Sequence, residues 1–171
     1  MIPANETQIV IESEIRGAQA WAERRGFSCV WNPEALELRT VLHQPRDATE
    51  FYLRARFDNY RAFAPEWTFS DSNWSRVGEL WDFPKPIINP APPTGSTILQ
   101  FNQRAVICAP FNRLAYASYS GPHQDWSGPE QWMAASVKTS ANGQVRADTV
   151  GDMLQVIYRD FVRTQGRMTQ P

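Results

Sequence analysis

Apolar residues recur at helical spacing between Thr7 and Arg25, where Ile11, Ile15, Ala18, Trp21 and Ala22 form one stripe opposite Glu12, Glu14, Arg16, Glu23 and Arg24. The pattern predicts an opening amphipathic helix that stops at Gly26, since glycine readily takes the left-handed conformation that ends helices. The period then changes from 3.6 to 2. Strands are expected over Phe27 to Trp31, Leu36 to His43 and Glu50 to Phe57, where Phe51, Leu53, Ala55 and Phe57 alternate with Tyr52, Arg54 and Arg56. A short fourth strand fits Trp67 to Ser70, and together the four suggest an antiparallel meander.

From Asp71 to Thr97 the chain carries Pro84, Pro86, Pro90, Pro92, Pro93 and Gly95, a density that excludes helix and central strand and predicts a long, stiff connection. Within it, Trp74, Trp81 and Phe83 read as core anchors. Beyond it, Ile98 to Cys108 is apolar but interrupted, and only Ala105, Val106, Ile107 and Cys108 are expected to be deeply buried. A short helix is expected from Pro129 to Val137. The strongest helical pattern is the last, with Val150, Met153, Leu154, Ile157, Tyr158 and Phe161 on one face. Thr149 and Asp152 are spaced for a capping box, and this helix should run to about Gln165. Strands and helices are segregated along the chain, so the fold class is α+β, in one domain over residues 1–171.

Composition narrows the function. The net charge is −1 and the 17 basic residues are scattered, so no footprint for nucleic acid or an anionic membrane emerges. No apolar run approaches the roughly 20 residues that span a bilayer, and no leader pattern opens the chain, which predicts a cytoplasmic protein. Two cysteines without CxxC spacing make neither a zinc site nor a disulfide framework, so no metal or cofactor is expected and the thiols should be reduced. Cys29, at a strand start, reads as structural. Cys108, at the end of an apolar strand-like run beside Pro110, is the candidate nucleophile, its alternative being a small buried hydrophobe.

Two local motifs and the element order resemble the ubiquitin-conjugating enzyme family. Tyr60-Arg61-Ala62-Phe63-Ala64-Pro65-Glu66-Trp67-Thr68-Phe69 is similar to the family's Tyr-Pro-x-x-x-Pro-x-Val-x-Phe segment between its third and fourth strands, with Arg61 in place of the first proline. Val106-Ile107-Cys108 resembles the Ile-Cys ending of the family's active-site loop. The His-Pro-Asn signature eight to ten residues before the cysteine is absent, since Ile98, Leu99 and Gln100 occupy that register. Several bacterial conjugating-enzyme families of anti-phage defence systems also lack that asparagine, so the resemblance points to a divergent prokaryotic member. Trp126 also lies further from the cysteine than the family's tryptophan, which implies an insertion over residues 109–125.

The resemblance implies a UBC-like fold and an enzyme that takes a ubiquitin-like C-terminus onto Cys108 as a thioester and passes it to an amine on a target protein. Its partners would be an activating enzyme, the ubiquitin-like protein and the target. Such chemistry needs an ionisable thiol, a donor for oxyanion charge and a proton acceptor. Gln100, Asn102 and Asn112 are the candidate oxyanion donors, Gln100 by register with the missing asparagine. His123 and Asp125 are candidate proton acceptors, with a turn or helix cap as their structural alternative. His43 is expected to face solvent. Two other functions remain open: a non-catalytic scaffold of the same fold with an unreactive Cys108, and a cysteine hydrolase using Cys108 and His123.

Overall fold

The computed structural model describes residues 4–86, 98–101, 105–126, 128–138 and 144–169. Helix α1 (Ala4–Glu23) buries Ile11, Ile15, Ala18, Trp21 and Ala22, the stripe read from the sequence. It closes at Gly26, whose φ of 71° lets the Gly26 and Phe27 amides turn back onto the Glu23 and Ala22 carbonyls.

Four strands follow, β1 (Ser28–Asn32), β2 (Glu37–His43), β3 (Glu50–Arg56) and β4 (Glu66–Ser70), paired in chain order as an antiparallel meander. The register places Leu38 opposite Ala55 and Leu42 opposite Phe51, so the apolar set of each strand falls on one face. That face meets α1 and, further on, the last helix. β4 departs from alternation: Trp67, Thr68, Phe69 and Ser70 are all buried. The chain after β4 folds back over its outer face, where Ser70 bridges Val77 and the Gly78 amide donates to the Phe69 carbonyl.

The proline-rich connection is only partly open to description, and residues 87–97 lie outside the described set. Its first part contains β5 (Pro84–Pro86), an edge strand that pairs with the C-terminal segment. Of its three aromatic anchors, only Phe83 is fully buried. Trp81 is half-buried, and Trp74 sits on the outer sheet face, edge-on to Tyr52 with the Arg39 guanidinium 5.4 Å from its ring. A hairpin of β6 (Leu99–Phe101) and β7 (Ala105–Ile107) comes next. Ile98 and Leu99 are buried in it as well as Ala105 to Cys108, because the far strand also faces the core.

Helix α2 (Pro129–Ala134) is shorter than its sequence pattern, since Val137 leaves it for a two-residue pairing of β8 (Val137–Lys138) with β9 (Gln144–Val145). Helix α3 (Val150–Phe161) has the expected Thr149–Asp152 capping box. It ends at Phe161 rather than near Gln165 because the chain turns into β10 (Thr164–Arg167) against β5. Gln44 fixes that exit, its amide donating to the carbonyls of Phe161 and Thr164. α1 and α3 lie side by side, with Gly151 against the backbone of Gly17 and Ala18.

One residue of α1 breaks its own pattern. Glu14, on the polar side of the helical stripe, is buried. It accepts the Tyr60 hydroxyl at 2.7 Å and the Val150 amide at 3.0 Å, and pairs with Arg61. One carboxylate thus holds α1, the start of α3 and the Tyr60–Arg61 turn together. His43 also departs from expectation: it is half-buried and stacks on Phe27 at 6.0 Å. No helix among the described residues is long and apolar enough to cross a membrane.

Candidate active site

The β6–β7 hairpin delivers Cys108. Its base is pinned to α3 by the buried Asp160 carboxylate, which accepts the Ile98 amide at 2.7 Å. The Cys108 amide then donates to the Ile98 carbonyl at 2.6 Å, so the cysteine leaves the strand in a fixed direction. The fully buried Asn112 sets the next turn. Its amide group donates to the Trp67 and Ile107 carbonyls, and its oxygen accepts from the Trp67 and Leu114 amides. All four bonding directions of that side chain are engaged with backbone, which is the full capacity of an amide.

After Asn112 the chain makes two short 3₁₀ turns, Arg113–Ala115 and Ala117–Tyr119, and doubles back. The His123 amide donates to the Ala115 carbonyl at 2.9 Å, and Tyr116 and His123 form a parallel bridge. This return places His123 Nε2 2.6 Å from Cys108 Sγ. The Trp126 ring lies 5.3 Å from the imidazole and 5.1 Å from the Tyr116 ring, whose hydroxyl donates to the Pro110 carbonyl.

The surroundings of the pair are apolar. Val106, Leu114 and Ala115 pack around the thiol, which is only 7 % exposed. Burial pushes the Cys108 thiol up to about 11 and draws the His123 imidazole below its ordinary 6.5, because a low-dielectric site disfavours both charged forms. The resting pair is therefore a neutral thiol and a neutral imidazole. In the tautomer protonated at Nδ1, the thiol donates to Nε2, and a proton can pass from sulfur to nitrogen as the sulfur attacks an electrophile. A cavity of about 240 Å³ shares Val106 and Leu114 with the thiol's surroundings and is otherwise lined by Trp67, Thr68, Val77, Gly78 and Ala105.

Of the residues named from the sequence, Cys108 and His123 are brought together. Asp125 is exposed and its carboxylate accepts the Ser118 amide at 2.9 Å, a turn-capping bond. Gln100 lies in β6 opposite Val106, while Ile98 is the residue across from Cys108. Asn102 lies outside the described residues. Asn112 is excluded as an oxyanion donor because its amide is spent on backbone. Cys29 accepts a hydrogen bond from the Thr40 hydroxyl at 3.5 Å and is raised by burial, as suits a packing residue. Tyr116 and Trp126 were not singled out for the site; their only sequence signal is aromatic residues bracketing a Gly-Pro-His turn.

Among the described residues no group of three or more His, Cys, Asp or Glu side chains is arranged to hold a metal ion. The fold and site define a mixed α+β protein with a buried cysteine against a half-buried histidine at the mouth of a hairpin. No family model, curated protein or solved structure matches the chain.

Proposed function

We propose that the protein is a thioester-forming acyl-transfer enzyme of the ubiquitin-conjugating type, with Cys108 as nucleophile and His123 as its proton acceptor. The observation that carries this reading is the 2.6 Å approach of His123 Nε2 to Cys108 Sγ, on a cysteine that follows a four-strand meander and ends a hairpin strand. In loading, Cys108 Sγ attacks the thioester carbonyl of a ubiquitin-like C-terminus held by an activating enzyme, and its proton passes to His123. The activating enzyme's sulfur leaves and takes that proton. In transfer, the target amine attacks the Cys108 thioester and gives a proton to neutral His123, and the Cys108 sulfur leaves and is reprotonated from it. Neutral His123 suits the second step, since only an unprotonated imidazole can accept the amine's proton. The setting proposed is a bacterial defence conjugation system.

One observation favours a second reading, a non-catalytic scaffold that binds a ubiquitin-like protein. The thiol is almost fully covered and burial holds it protonated. The two readings separate on a gel. The protein is incubated with a cognate activating enzyme, its ubiquitin-like protein and ATP. An adduct that reductant removes and Cys108→Ala lacks supports the enzyme, whereas no adduct with those partners sinks it. Turnover of a fluorogenic ubiquitin-like ester with no activating enzyme would instead mark a hydrolase.

A further inference from the structure

We infer that Gly121 and Trp126 are positioning residues that hold His123 against the thiol, an inference that rests on the Cys108–His123 reading above. The loop that carries His123 crosses its own backbone at Gly121. A Cβ built there would lie 2.1 Å from the Ala115 carbonyl carbon and 2.2 Å from its oxygen. Ordinary van der Waals contact begins near 3.4 Å, so any side chain at 121 forces the two backbone segments apart by more than about 1 Å. Backbone at Ala115 has little freedom to yield, because Ala115 is fully buried and its amide donates to the Asn112 carbonyl.

The crossing and the histidine are mechanically one unit. The Gly121 amide donates to the Tyr116 carbonyl at 2.7 Å, and two residues later the His123 amide donates to the Ala115 carbonyl. Displacing Gly121 from Ala115 therefore opens the bond that sets His123. Trp126 completes the unit from the other side. Tyr116 reaches back to Pro110, two residues beyond the nucleophile, and its ring meets Trp126, which in turn lies on His123. The flank of the thiol is thus tied to the imidazole through two aromatic rings. A shift of about 1 Å in a reacting group can cost on the order of 10²-fold in rate, so a loop built to this tolerance sets whether His123 acts at all.

The test is the rate of Cys108 alkylation by iodoacetamide at neutral pH, with Cys29 replaced by Ser throughout and cooperative thermal unfolding checked for every variant. His123→Ala should slow the reaction by about 10²-fold in the otherwise native protein. The same substitution should change the rate little when Gly121→Ala or Trp126→Leu is already present. Retention of the full His123 effect in either folded variant overturns the assignment of that residue. A Gly121→Ala protein that fails to unfold cooperatively makes Gly121 a residue of the fold and overturns its positioning role, leaving Trp126 to be judged by its own pair. Equal rates for the native protein and His123→Ala would remove the proton-acceptor reading itself, an outcome distinct from the loop substitutions having no effect.

Discussion

Two buried polar constellations in this molecule are built on opposite plans. Around Glu14, a carboxylate taken out of water is surrounded by donors: the Tyr60 hydroxyl, the Val150 amide and the Arg61 guanidinium. Around Cys108, a thiol and an imidazole meet each other and otherwise face Val106, Leu114, Ala115 and the Trp126 ring. The first arrangement saturates a charge and joins three segments of chain. The second sets a thiol against an imidazole, with His123 as the sulfur's hydrogen-bond partner among the described residues. Burial with saturation makes a structural joint, and the thiol–imidazole contact is where the proposed chemistry would lie.

That contrast can be broken by substitution. The largest effect expected is from Cys108→Ala, which should abolish the reductant-sensitive adduct entirely while leaving the fold's melting temperature nearly unchanged, read by gel and by circular dichroism. Glu14→Ala should do the reverse. It leaves the Tyr60 hydroxyl and the Val150 amide buried without an acceptor, costing about 3 kcal/mol and lowering Tm by roughly 10 °C. Retained thiol reactivity below that melting point would show the joint to be separate from the site.

The thiol–imidazole pair should also leave a signature in the pH dependence of stability. Because burial lowers the His123 pKa, the unfolded chain takes up a proton before the native one as pH falls below 6.5, so stability is lost on acidification. Because burial raises the Cys108 pKa, the unfolded thiol ionises first above 9.0, and stability is lost again as pH climbs toward about 11. Urea melts should show the alkaline loss vanish in Cys108→Ala and the acid loss diminish in His123→Ala. The smallest effect is expected from Asp125→Ala, which removes one exposed bond to the Ser118 amide and should leave thiol alkylation unchanged. A large fall in reactivity there would return Asp125 to the site.

The regular parts of the fold were legible because periodicity reports which face of an element is covered. The alternation of Phe51, Leu53 and Ala55 survives into the structure as a buried face, and so does the α3 stripe from Val150 to Phe161 apart from the half-buried Tyr158. Periodicity misled at Glu14, since a residue placed on the polar side of a helix can still be buried when a turn as distant in sequence as Tyr60–Arg61 supplies its donors. The β5–β10 pairing was hidden for a different reason. Pro84 and Pro86 lack amide donors, which argues against a strand anywhere but an edge, and an edge partner 80 residues away leaves no local mark. At the site, residue chemistry nominated Cys108 and His123 separately. Their contact depends on the chain crossing itself at Gly121, a packing event that neither composition nor spacing encodes.

The measurement that bears most directly on the pair is the pH profile of Cys108 alkylation in the native protein and in His123→Ala. A thiol that hands its proton to a neutral imidazole reacts at a rate that rises as His123 loses its proton below 6.5 and is then level until the direct thiolate path, which gains tenfold per pH unit on the way to a thiol pKa of about 11, overtakes it. The account predicts that plateau in the native protein and its replacement in His123→Ala by a tenfold rise per pH unit. A native profile without a plateau, superimposable on that of His123→Ala, would contradict it.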